Sequence, residues 1–201
     1  MKNWNTANVT DMNSMFFGNY LFNQDISGWD VSKVTNMESM FAYAKTFNQD
    51  ISGWNTANVT DMYAMFANTK FFNQPIGSWN TGQVKNMGAM FYDAEAFDQD
   101  LSRWKLISVT DIDSIFKAPL NKGMSCKNYS KTLQGWSLYT YTMANLNFSG
   151  QLNRQYNLVG KEARDILTKP VANGGKGWTI SGDTYDRDCG IEYVWTGNAS
   201  T

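Results

Sequence analysis

The segment WDVSKVTNMESMFAYAKTFNQDISGW, residues 29–54, decides the fold, because most of it recurs on both sides at an offset of 25. Trp stands at 4, 29, 54, 79 and 104, and Val at 9, 34, 59, 84 and 109. Met12, Met37, Met62 and Met87 give way to Ile112; Met15, Met40, Met65 and Met90 give way to Ile115. Phe recurs at 16, 41, 66, 91 and 116, and again at 22, 47, 72 and 97. The stretch Trp4–Met12 is identical to Trp54–Met62, and Phe22–Trp29 to Phe47–Trp54. Self-similarity at a fixed period is the mark of a stacked array, in which one unit cannot bury its apolar face alone and its neighbour does so for it.

Within a unit, Met-x-x-Met-Phe has the i, i+3, i+4 spacing of one helical face. Thr10, Thr35, Thr60 and Thr110 precede it where an N-cap belongs, with Glu38 and Asp113 three residues on in capping-box fashion. The following Asn-Gln-Asp-Ile-Ser reads as a short strand, stacked in parallel about 4.8 Å from its neighbours. The expected fold is an α/β repeat solenoid, with short parallel strands and short helices in 25-residue units and a C-terminal α+β cap.

Columns that never vary are expected to be buried or to form ladders. Gln24, Gln49, Gln74 and Gln99 are such a column, placed by alternation on the inner face with Ile26, Ile51, Ile76 and Leu101. Asp25, Asp50 and Asp100 fall on the other face, with Pro75 in the remaining copy. That face, with Ser27, Ser52 and Ser102, is the candidate binding surface. Its carboxylates have three readings: a solvated acidic stripe, a calcium site, or a glycosidase pair. The Met pairs read as adaptable core filling, and the Trp column as packing at the strand end or as a carbohydrate platform.

Trp-Asp-Val-Ser-Lys-Val-Thr-Asn-Met-Glu-Ser-Met-Phe (29–41) and Phe-Asn-Gln-Asp-Ile-Ser-Gly-Trp (47–54) resemble the BspA-type leucine-rich-repeat surface proteins. More narrowly, they resemble the branch called domain of unknown function 285, with its bacterial surface protein 26-residue repeat. The resemblance covers about the first 120 residues. Tyr129, Gly135-Trp136, Asn147–Gly150, Tyr156, Arg164 and Gly177–Ile180 resemble that family's usual ending. It implies a leucine-rich-repeat-like fold and a non-enzymatic adhesion or binding module at a bacterial cell surface or in a secreted protein. It implies as partner a host, matrix or cell-surface protein or glycan. It brings no catalytic residues. A rigid spacer presenting other modules is the alternative; a carbohydrate-active enzyme using the Asp row is a third.

Residues 1–120 are expected to be a five-unit array truncated at its N-terminus, 121–182 a capping region and 183–201 a tail or linker. No apolar leader follows Met1, and the array begins inside a unit. An exposed apolar end is therefore expected near Trp4, Val9 and Met12, a candidate for self-association. The cap should carry helices from about Cys126 to Trp136 and Leu158 to Leu167, and strands near 146–149 and 178–181. Cys126 and Cys189, the only cysteines, are candidates for a disulfide; the other reading is two unpaired small side chains.

Histidine is absent, which removes Ser-His-Asp and Cys-His chemistry. The net charge is −1 without a basic cluster, which argues against a nucleic-acid partner. No apolar run approaches the roughly 18 residues of a membrane span. There is no P-loop, dinucleotide fingerprint or zinc motif, so no cofactor and no metal are expected. The tail acids Asp183, Asp186 and Asp188 lack the Gly and terminal Glu of an EF-hand. Sequons occur at Asn8, Asn58, Asn128, Asn147 and Asn198; those at Asn8 and Asn58 belong to the repeat itself.

Overall fold

The computed structural model describes residues 1, 4–140, 142–151 and 153–190. Through residue 116 successive 25-residue units lie one on the next in register. Parallel bridges join Asp11 to Asn36, Asn36 to Asp61, Asp61 to Asn86, and Asn86 to Asp111. The core columns are those of the repeat: Met37, Met40, Phe41, Phe47 and Ile51 are fully buried, as are Met62, Met65, Phe66, Phe72 and Ile76 one unit on. Phe rings stack within a unit (Phe41 on Phe47, centroids 4.0 Å apart) and between units (Phe41 on Phe66, 5.6 Å). Each such contact adds about 0.5–1.5 kcal/mol beyond the area it buries.

The expected helix and strand inside each unit are both absent among the described residues. Met-x-x-Met-Phe is instead a run of overlapping turns. Met15 N–H donates to Met12 O, Phe17 to Ser14 O, and Asn19 to Phe16 O. Ser14, Ser39, Ala64, Ala89 and Ser114 have φ of 50–54°, the left-handed third position of a type II turn. The alternate N–H groups are thereby turned outward, onto the next unit. Met37, Ser39, Phe41 and Tyr43 donate to Asp61, Tyr63, Met65 and Ala67 carbonyls at 2.8–2.9 Å, and the same four positions do so in every repeat that has a following unit. A helix would satisfy these groups internally and leave nothing for the neighbour.

The Thr column is therefore not a set of N-caps. Thr35, Thr60 and Thr110 donate through both N–H and Oγ1 to the carbonyl one unit back. The capping-box reading of Glu38 and Asp113 is replaced by Asx turns: Glu38 N–H donates to Asn36 Oδ1 and Asp113 N–H to Asp111 Oδ1. The Gln column is not on the inner face. Gln24 is exposed and Gln49, Gln74 and Gln99 are half-buried. Gln49, Gln74 and Gln99 donate to the backbone and side-chain oxygens of Asn23, Asn48 and Asn73 in the unit before.

The cap follows. Helix α1 (Cys126–Leu138) starts at Ser125, whose hydroxyl accepts from Asn128 N–H, and lays Tyr129, Leu133 and Trp136 onto the last unit. Gly135 lets it approach: a Cβ there would stand 2.2 Å from Ser102 O. Strand β1 (Asn147–Phe148) and strand β2 (Arg154–Tyr156) precede helix α2 (Leu158–Thr168), which packs on α1. Strand β3 (Thr179–Ile180) pairs in parallel with β1, and strand β4 (Asp183–Tyr185) with β2. Where a tail or linker is expected from residue 183, β4 is instead part of the cap, and the Asp183 side chain is fully buried on Arg164 at 3.2 Å. Cys126 and Cys189 form a disulfide (Cα–Cα 5.8 Å) that ties this segment to the start of α1.

Candidate functional site

The candidate surface from the sequence was the Asp and Ser row. Its carboxylates are engaged locally. Asp25 Oδ1 accepts from both the N–H and the hydroxyl of Ser27. Asp50 accepts from Ser52 N–H and Asp100 from Ser102 N–H, at 2.9 Å each. The hydrogen bonds from the Ser52 hydroxyl and N–H hold the Asp50 carboxyl below the usual carboxylate range. These residues fasten the turns entering Trp29, Trp54 and Trp104, a task sufficient to explain their recurrence. Among the described residues no group of three His, Cys, Asp or Glu side chains is placed to hold a metal ion. Asn198 lies outside the described residues.

The stack has a second face that the sequence reading passed over. A groove of about 470 Å³ crosses it, over the turn segments of successive units. Its floor is small: Ala42, Ala64 and Ala67 are buried, and Ala89 packs against them. Its walls are Phe17, Tyr43, Tyr63 and Tyr92, of which the first three are exposed. Phe17 and Tyr43 meet edge to face at 5.6 Å, and Lys117 Nζ lies 5.0 Å over the Tyr92 ring. One end holds Asp111 and Asp113, and Gly88 leaves the Asp111 carboxylate uncovered, since a Cβ at Gly88 would stand 3.1 Å from both its oxygens. Asp25, Ser27, Asp50 and Ser52 do not line this groove; Asp100 and Ser102 line a separate depression beside Arg103 and Lys131.

The signal for the groove was present as variation. Ala42, Ala67 and Tyr92 share one repeat position with Phe17 and Lys117, and Tyr43, Asn68 and Asp93 share another with Gly18 and Ala118. Their side chains are outside the core columns, so the stack tolerates any of them. The exposed apolar end is also drawn differently from expectation. Trp4 is 53% exposed where Trp29 is 4%, and Met15 is 39% exposed where Met40 is 0%, but Met12 is buried and Val9 half-buried.

Among known families, the one described as "Mycoplasma protein of unknown function, DUF285" matches residues 1–81 and 52–159. No curated protein and no solved structure matches the chain.

Proposed function

The chain belongs to the family described as Mycoplasma protein of unknown function, DUF285, and we propose that it is a non-enzymatic binding module of a bacterial cell-surface or secreted protein. The same reading takes the stack of 25-residue units as a leucine-rich-repeat-like solenoid whose turn face carries the ligand. The observation that supports it is the groove: exposed aromatic rings over a floor of small side chains, on a frame whose repeated Met, Phe and Ile columns fill the core. Aromatic anchors in a concavity carry a large share of the energy of recognition. A glycan or an extended peptide chain crossing several units would meet one ring after another, so that affinity comes from the units together.

The reading is tested on an array of glycans and matrix proteins with the purified chain and the double variant Tyr43→Ser, Tyr63→Ser. Retention of one class of ligand should fall about tenfold or more in the variant, with an unchanged circular dichroism spectrum. If charge reversal at Asp25, Asp50 and Asp100 abolishes retention and the Tyr variant does not, the Asp row is the contact surface. No retention by the folded wild-type chain supports the rigid-spacer reading.

A further inference from the structure

Arg154, at the start of β2, is 2% exposed. Its Nη1 donates to Met124 O at 2.6 Å and its Nη2 to Lys122 O, while its Nε is buried without a partner. Among the described residues no carboxylate lies within 4.0 Å of the guanidinium. A full positive charge has thus been taken out of water with two backbone carbonyls in direct contact and no carboxylate touching it, a costly arrangement that a counter-anion in contact relieves. Burial lowers the affinity of this guanidinium for its proton, and the fields of Tyr129 and Asp98 partly restore it. Gly123, in the left-handed region, leaves the guanidinium its place: a Cβ there would stand 3.2 Å from Nη1.

The same side chain lines a cavity of about 430 Å³ between the 120–126 loop, β2 and β4. Ser125 and Cys126, the N-cap and first residue of α1, form another part of the wall. The first turn of α1 holds no acidic residue, so its own sequence leaves the positive end of the helix dipole uncompensated. Asp98 bonds to the helix entry, accepting from Ser125 N–H and Asn128 Nδ2, and draws it onto the stack. Lys122, on the rim, has an exposed ammonium group 4.0 Å from Glu95. A buried guanidinium that no carboxylate touches, with its Nε unpartnered, and the N-terminus of α1 meet at one cavity, and the Asp98 carboxylate bonds to the helix entry without touching the guanidinium.

We propose that this cavity binds a small oxyanion, the carboxylate, sulfate or phosphate group of a ligand of monosaccharide size or less. Arg154 and the first turn of α1 supply the charge, and the exposed Thr184 on β4 stands at the opening.

The test is the thermal midpoint of the whole chain at constant ionic strength, with chloride replaced by sodium acetate, sulfate or phosphate in separate titrations. One or more of the three should raise the midpoint by an amount that grows with the logarithm of anion concentration above the Kd, about 4 °C at tenfold above it, and the effective anion identifies the group that fits. In Thr184→Asp a carboxylate of the chain itself occupies the opening, so the midpoint rises without added anion and the increment disappears. Arg154→Met loses the increment as well; if that variant does not fold, Thr184→Asp decides. Equal midpoints in all salts overturn the proposal, as does an increment that survives in Thr184→Asp or in folded Arg154→Met.

Discussion

The stack and the cap solve one problem by opposite means. Each repeat presents outward N–H groups, a carbonyl and an apolar face, and the next repeat answers with carbonyls, an indole donor and rings at a fixed offset. The cap answers the last repeat with unrelated residues. Ser149 O and Gln151 Oε1 accept the N–H groups of Ser114 and Phe116. Trp136 donates to Leu101 O as Trp104 does to Ile76 O, and Asn128 bonds to Asp98 as Gln99 does to Asn73. The difference teaches that a repeat edge specifies donors, acceptors and shape but not sequence. Translation satisfies it once for every copy, whereas closure requires a new solution for each group.

That contrast can be broken at the centre of the stack. Phe66→Ala removes a fully buried ring that stacks on Phe41, Phe72 and Phe91, and should cost about 4 kcal/mol in urea denaturation. If Phe16→Ala costs as much, neighbours on both sides do not matter and the stack is less cooperative than its contacts imply. A smaller effect is expected at the junction. Gln151 is fully buried; its Oε1 accepts from Phe116 and its Nε2 donates to Ser149 O. Gln151→Ala strands the Phe116 N–H and should cost about 2 kcal/mol. The same truncation at half-exposed Gln49, whose target remains open to water, should cost a fraction of that.

The smallest effect separates the two regions by pH. Burial, with the Asp183 carboxylate beside it, pushes the Tyr129 phenol well above 10.0. The folded cap therefore keeps a proton that the unfolded chain releases above about 10. The stabilisation is complete below that pH and declines as pH rises beyond it, by less than about 1 kcal/mol in the first half unit. Alkaline denaturation midpoints should show this slope, and Tyr129→Phe should flatten it. A slope unchanged in that variant would remove the cap as the alkaline-sensitive part.

The period, the core columns and both cap helices were legible in the sequence, because apolar spacing and capping residues act locally. The local form of the repeat was not. Met-x-x-Met-Phe satisfies the spacing of a helix and of overlapping four-residue turns equally, and what decides is whether N–H groups bond inside the segment or to the copy above. The left-handed Ser39, Ala64 and Ala89 carry no glycine to announce them. At the Gln column invariance did mark a ladder, each amide bonding to the Asn of the preceding unit, but alternation misplaced it on the inner face. Strand β4 escaped notice because its one buried anchor, Asp183, reads as a surface acid until Arg164 and Tyr129 are brought to it.

The bridge column alternates: Asp11, Asn36, Asp61, Asn86, Asp111. Adjacent units thus never set carboxylate over carboxylate there, and Asn36 can offer its amide to Asp11, at 3.5 Å. Excision of one unit, residues 26–50, would bring Asp11 against Asp61; excision of two would bring it against Asn86. For a gene whose repeats are gained and lost by recombination, the quantum of length that leaves this column undisturbed is the pair, and arrays of this kind should grow by fifty codons, twice the 25-residue repeat, more readily than by a single unit.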